Sequence, residues 1–174
     1  MVAIHTSSKP GKLIVADAGP LIALAIAGVL QQTIAHYKTL LVPEAVVYEC
    51  IADPSAPGAK VVAKLLRSRG IKIINEIDIR PLDAAYAQGL GSGEVAVLAY
   101  AAQHQHIALI DERRARRIAQ RLQVPVVGSG AVLLALKASG SIASVKPALA
   151  AWAAHGYFVS PTVVDEIIRR AGES

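Results

Sequence analysis

Cysteine is almost missing from this sequence. Cys50 stands alone, so no disulfide can close within the chain and no zinc centre can rest on thiolates. That usage fits a reducing compartment, and a cytoplasmic location is expected. Cys50 lies in an apolar stretch and reads as a small core residue rather than a nucleophile. Aromatic residues are also scarce, at 4% of the 174 residues, against 53% hydrophobic. The core must therefore be Ala, Val, Leu and Ile, a composition that suits helices packed closely on a sheet. Long apolar runs are absent too. The uncharged stretch from Ala18 to Leu30 falls short of the roughly twenty residues that span a bilayer, and Pro20 and Gly28 interrupt it. The start Met1-Val2-Ala3-Ile4-His5 lacks the basic and then apolar pattern of a secretory signal. No membrane partner is expected.

What remains is one domain with a full core. Residues 1–12 read as a flexible lead-in and residues 13–174 as a single domain. The net charge of +5 is compatible with a polyanionic partner. Apolar runs bounded by Gly and Pro predict strands over Lys12–Asp17, Thr39–Val42, Ile71–Ile77, Ile107–Asp111 and Val124–Val127. Helices are predicted over Leu21–Ala27 and on to His36, over Pro43–Ala52, Ala59–Arg69, Asp83–Gln88, Glu94–Gln103 and Glu112–Leu122. Three more follow, over Ala131–Ser139, Val145–His155 and Pro161–Ala171. Helix Glu94–Gln103 is apolar on nearly every side, so a central place is expected. Gly89-Leu90-Gly91-Ser92-Gly93 before it reads as a loop. The alternation indicates an α/β fold with a mainly parallel sheet of about five strands.

Four acids sit at the edges of apolar segments: Asp17, Glu49, Glu94 and Asp111. Asp17 ends the run Leu13-Ile14-Val15-Ala16, and Asp111 ends Ile107-Ala108-Leu109-Ile110. A carboxylate directly after a buried strand is expensive unless it faces a crevice, and in parallel α/β sheets ligands bind at the carboxyl ends of the strands. Glu49 shares an otherwise apolar helix face with Val46 and Cys50. Glu94 is the only acid on the central helix. Two like charges ~4 Å apart repel by about 4 kcal/mol at an effective dielectric near 20. Acids gathered in one pocket therefore call for a counter-charge, and Mg²⁺ or Mn²⁺ suits oxygen ligands. Each acid also has a plain alternative. Asp17 or Asp111 would cap the following helix, Glu94 would complement a helix dipole, and Glu49 would pair with a lysine.

The strings carrying these acids resemble the PIN-domain ribonucleases. They are Val15-Ala16-Asp17-Ala18-Gly19-Pro20-Leu21-Ile22, Val42-Pro43-Glu44-Ala45-Val46-Val47-Tyr48-Glu49, Leu90-Gly91-Ser92-Gly93-Glu94-Val95-Ala96 and Leu109-Ile110-Asp111-Glu112-Arg113-Arg114-Ala115-Arg116. Their order and spacing cover about Leu13 to Gly172. The resemblance implies a three-layer α/β/α fold and Mg²⁺- or Mn²⁺-dependent cleavage of RNA. Asp17, Glu49, Glu94 and Asp111 match the family's acidic positions, with Asp17, Glu94 and Asp111 expected to hold the cation. Many relatives are toxins held by a small antitoxin, and a homodimer is expected, with the first helices supplying an apolar surface. Two positions depart from the pattern. Leu109 stands where a Ser or Thr often precedes the last aspartate, and Arg113 where a further acid often follows. Glu112 is close by, but its side chain should point elsewhere.

Beside the acids, the helix Glu112–Leu122 is basic. Arg113, Arg116, Arg117 and Gln120 share an arc, and arginine suits phosphate through its forked donors. These three arginines are candidates for positioning RNA, against a solvated face or an acidic protein partner. His104 and His106 lack a third ligand nearby and read as a surface turn. The glycine loop lacks the G-x-G-x-x-G spacing of dinucleotide binders. Three functions stay open: a metal-dependent ribonuclease, a non-catalytic module binding RNA or a protein, and a phosphatase-like domain using Asp17 as acceptor. The last finds no second acid two residues after Asp17.

Overall fold

A computed structural model describes residues 12–75, 77–80, 82 and 84–173. Apart from Lys12, the expected lead-in lies outside the described residues, as do Glu76, at the end of a predicted strand, and Asp83, at the start of a predicted helix. The chain runs β1 (Ile14–Ala16), α1 (Ala18–Ile26), α2 (Leu30–Tyr37), β2 (Leu40–Pro43), α3 (Glu44–Ile51), α4 (Ala59–Leu65) and β3 (Ile71–Ile74). It continues through α5 (Ala84–Ala87), α6 (Ser92–His104), β4 (Ile107–Leu109), α7 (Arg113–Arg121) and β5 (Val126–Val127). Helices α8 (Ser129–Ala138), α9 (Lys146–Ala154) and α10 (Pro161–Arg170) complete it.

Every strand pairing is parallel, in the order β3-β2-β1-β4-β5. Parallel neighbours need crossovers, and the helices supply them as layers on both faces. Helix α6 lies over β1, β2 and β4 and against α7, while α1 packs with α2, α8 and α9. The result is a three-layer α/β/α fold. Strands β1, β2 and β4 are apolar along their length because both faces are covered. Helix α6 is as central as its composition predicts: Ala96, Val97, Leu98, Ala99 and Ala101 are buried. Fully burying a side chain such as Leu98 contributes about 1.5–3 kcal/mol.

Connectivity runs outward in opposite directions from β1 and β4. They are therefore the switch point of the sheet, where a crevice opens at the strand ends. Ala16 pairs with Leu109 in the β1–β4 register, and the Asp17 N–H still donates to the Leu109 carbonyl at 3.1 Å. So Asp17 and Asp111, both placed by the sequence at strand ends, leave adjacent strands at the same edge.

Several elements are shorter than predicted. Strands β1 and β4 stop before their acids, which turn out of the ladder. Helix α4 ends at Leu65 rather than Arg69, and β3 at Ile74 rather than Ile77. Helix α6 starts earlier, at Ser92, so Ser92 and Gly93 belong to the helix and not to the glycine loop. No single described helix is long and apolar enough to cross a membrane, and α1 and α2 bend 119° apart.

The surface expectation for the first helices needs correction. The inner face of α1, with Leu21, Ala23, Leu24 and Ala25, is buried in the core. The exposed large hydrophobics are Tyr48, Ile51, Val61, Ile73, Ile79, Phe158 and Val163, none of them on α1 or α2. Most of the uncharged stretch Ala18–Leu30 is core, with Gly19, Ile22, Ile26 and Ala27 half-buried and Gly28 exposed.

Candidate functional site

Asp17 occupies the N-cap position of α1, yet its side chain makes no capping bond. Asp17 is 7% exposed, and its Oδ1 is buried without a hydrogen-bond partner. Burial pushes this carboxyl up to about 7 from an ordinary 3.8. The Ala18 N–H works against that shift, and the negative charges of Glu94, Glu49 and Asp111 add to it. A buried oxygen with no donor is rare and calls for an explanation. Here it comes with three further carboxylates whose charges all act on it.

Glu49 and Glu94 reach the hollow through the glycine-rich start of α6. The Gly91 N–H donates to Glu94 Oε2 at 2.9 Å, so Glu94 folds back over the first turn of its own helix. The Gly93 N–H donates to Glu49 Oε1 at 2.9 Å, with Ser92 Oγ at 3.3 Å. Glu49 thus stabilises the first turn of a neighbouring helix, where free N–H groups favour an anion. Two glycines make room for this. A Cβ on Gly93 would stand 2.8 Å from Glu49 Oε1. One on Gly91 would lie 3.7 Å from Glu94 and 4.0 Å from Glu49. Both glutamates therefore flank one short backbone segment. Val46 and Cys50, on the same helix as Glu49, are buried as predicted, while Glu49 itself is exposed. The thiol of Cys50 is pushed up to about 12 by burial, with Asp17 and Glu49 adding to the shift. It is a core group and not a nucleophile.

Asp111 is the most heavily bonded of the four. Its Oδ1 accepts from the Ser129 N–H at 2.8 Å. Its Oδ2 accepts from Ser129 Oγ at 2.5 Å and from Tyr157 Oη at 2.6 Å. Burial pushes the Tyr157 phenol well up, and the Asp111 charge adds to that shift, so the phenol keeps its proton and donates it. Asp111 does not cap α7. Glu112 does, accepting from the Ala115 N–H at 2.8 Å, and this occupies its side chain elsewhere, as expected. Leu109 is fully buried, and Asp111 accepts its hydroxyl bonds from Ser129 and Tyr157 of other segments. Ser129 opens α8, two residues after the end of β5.

Sequence reading missed both Ser129 and Tyr157. Ser129 did carry a signal: it stands two residues after a strand, at the same edge as Asp17 and Asp111. Tyr157 carried none, since it lies in a connection between helices and reaches Asp111 across 46 positions.

The arginines bracket this edge. Arg116 donates from a guanidinium nitrogen to the Ile110 carbonyl at 3.4 Å. The space of a Gly128 Cβ would be 2.7 Å from that guanidinium and 3.0 Å from Asp111 Oδ1. Arg116, Arg117 and Gln120 line a groove of about 350 Å³ with Val124 and Val126, which keeps most of the predicted arc together. Arg113 is exposed in the first turn of α7. Arg114, not singled out from sequence, donates to the Gln88 carbonyl and packs over Gly89. Among the described residues, no ion pair involves an α7 arginine or any of the four acids. His104 ends α6 rather than lying in a turn after it, its ring stacks on that of His106, and His106 accepts from the Leu13 N–H at 3.4 Å.

A hard divalent cation fits this site in donor type and charge. The ligand atoms on offer are carboxylate oxygens, and Asp17 Oδ1 has no other partner. Yet among the described residues no three His, Cys, Asp or Glu side chains stand close enough together to hold one ion. The reason is local: Glu94 and Glu49 are drawn to the N–H groups of α6, and Asp111 to Ser129 and Tyr157. Among known proteins, a family model described as a PIN domain matches residues 13–173. No curated protein matches the chain.

Proposed function

Because the chain belongs to the PIN-domain family, whose members are generally nucleases, we propose that it is a divalent-metal-dependent endoribonuclease, the toxin half of a toxin–antitoxin pair. One observation carries the reading: the Asp17 carboxyl is buried with one oxygen unpartnered, and its pKa is raised by that burial first and by three other acids in addition. Such a group favours a cation over solitary ionisation. Asp17, Glu94 and Asp111 are the ligands, and Glu49 helps to hold the ion or orients the attacking water. Mg²⁺ or Mn²⁺ bound there would supply a water of lowered pKa and stabilise charge on a phosphoryl oxygen. Arg113, Arg116 and Arg117 hold the RNA backbone beside the acids without reading its sequence. Water adds at phosphorus and the 3′-oxygen leaves, so the products carry a 3′-hydroxyl and a 5′-phosphate.

The expected partners are RNA, a small antitoxin and a second copy of the chain, in the cytoplasm. The exposed Tyr48 and Ile51 of α3, with Val61 of α4, are the surface for a homodimer. A second reading, a catalytically weak module that binds RNA or a protein, draws on the separated acids and on Leu109 and Arg113. Labelled-RNA cleavage in Mn²⁺ separates the two. Parent protein cuts and Asp17→Asn does not; equal cutting by both removes the assignment of Asp17, and no cutting by either favours the second reading.

A further inference from the structure

An ionised carboxylate offers about four lone-pair positions, two on each oxygen. At Asp111 three are already taken. Oδ2 accepts two hydroxyl donors, Ser129 Oγ at 2.5 Å and Tyr157 Oη at 2.6 Å. Oδ1 accepts the Ser129 N–H at 2.8 Å. One position is left, on Oδ1, which lies 3.0 Å from where a Cβ on Gly128 would stand, a point that is also 2.7 Å from the Arg116 guanidinium. The donors are themselves fixed. Ser129 is 1% exposed in the first turn of α8. The Tyr157 ring rests on Trp152, with centroids 5.3 Å apart, and Trp152 Nε1 donates to the Ala23 carbonyl at 2.7 Å. A chain of contacts thus runs from α1, the helix that Asp17 opens, through α9 to Asp111.

We propose that Tyr157 and Ser129 are positioning residues that fix Asp111 as a one-oxygen ligand, presenting Oδ1 alone to the divalent ion. The inference rests on the metal reading above. It gives the connection after α9 a role in the site, although no acid or arginine of that site lies there. Partners of ligating carboxylates act in this way by holding ligand orientation, and losing one typically weakens metal binding about ten- to a hundredfold.

The test is Mn²⁺ affinity, measured by calorimetry on the full chain, for the parent, Asp111→Asn, Tyr157→Phe and Ser129→Ala. Tyr157→Phe keeps the ring on Trp152 and removes only the hydroxyl. It should raise the Mn²⁺ Kd about tenfold while leaving the melting temperature in EDTA near the parent's. RNA cleavage should fall at limiting Mn²⁺ and return with excess Mn²⁺, with KM for RNA unchanged. A general structural role would not give that rescue. If Tyr157→Phe does not fold, Ser129→Ala, which empties the other Oδ2 position, must show the same rise. If Asp111→Asn weakens Mn²⁺ binding while the hydroxyl variants bind as tightly as the parent or tighter, the positioning role is overturned and the metal reading stands. If the parent binds no Mn²⁺, the metal reading fails and takes this inference with it.

Discussion

The four acids and helix α7 have opposite charge and opposite construction, and they meet where Arg116 approaches Ile110 and Asp111. Helix α7 places five arginines within nine consecutive residues. They are exposed, and none pairs with an acid among the described residues. The hollow draws Asp17, Glu49, Glu94 and Asp111 from four separate segments and binds three of them to fixed backbone or hydroxyl donors. Solvated guanidiniums keep their charge at almost no energetic cost. A buried carboxylate keeps its charge only with help. The difference teaches where stability is given up for chemistry: in the hollow and not on the helix.

The largest expected effect follows from that contrast. The folded-state pKa of Asp17 is raised, from 3.8 to about 7. The folded protein therefore binds this proton more tightly than the unfolded chain. With the metal absent, its contribution is most favourable below pH 4 and is lost as pH rises through about 7. At about 1.4 kcal/mol per pKa unit, the loss is on the order of a few kcal/mol. Melting in EDTA should show the parent losing stability between pH 4 and 7 relative to Asp17→Asn, which removes the ionisation. At pH 8 the variant should melt higher by several degrees, at roughly 2–4 °C per kcal/mol for a chain of this size. A variant that melts lower at pH 8 would mean that the hollow is not under electrostatic strain.

Next in size is a steric change at the hollow's edge. Gly93→Ala sets a Cβ 2.8 Å from Glu49 Oε1 at a backbone position in α6 that tolerates alanine. The Glu49 carboxylate must shift, and Mn²⁺ affinity should fall about tenfold, in the range typical of displaced metal-site groups. Unchanged affinity would leave Glu49 as a helix-stabilising acid only. On the helix side, the double change Arg116→Ala with Arg117→Ala should leave Mn²⁺ binding intact and weaken RNA binding across all sequences. It should also lower the salt slope by about one for each phosphate that is no longer neutralised. A salt slope equal to the parent's would assign α7 to another partner.

Much of this contrast was legible in the sequence, for reasons that differ between the two regions. The basic arc of α7 is contiguous, so periodicity alone displays it. Asp17 and Asp111 were legible because each ends an apolar run, and parallel pairing of β1 with β4 then brings them to one edge. Glu94 was placed on the right helix and in its first turn, but the helix begins two residues earlier than read, because Ser92 and Gly93 look like loop residues. They are helical, since Glu94 and Glu49 satisfy the free N–H groups of Gly91 and Gly93. Ser129 and Tyr157 were not legible. Their role arises only from tertiary placement beside Asp111, and nothing local to Gly156-Tyr157-Phe158 marks it. The apolar surface expected on the first helices failed for the opposite reason. A helix apolar all round is core material, and α1 is packed among α2, α3, α4, α8 and α9.

The smallest effect separates the two acids that open α7. Glu112→Ala removes the bond to the Ala115 N–H and should cost about 1 kcal/mol, with no change in Mn²⁺ affinity. A larger loss, or any loss of metal binding, would place Glu112 in the hollow with its neighbour.

The most direct measurement is a calorimetric titration of the metal-free chain with Mn²⁺ at pH 7, run on parent and Asp17→Asn in buffers of different ionisation enthalpy. Saturable binding with proton release by the parent, and neither in the variant, is the predicted result, because the raised pKa of Asp17 keeps a proton on it near neutral pH that a cation must displace. Binding of equal strength in both proteins would contradict the account.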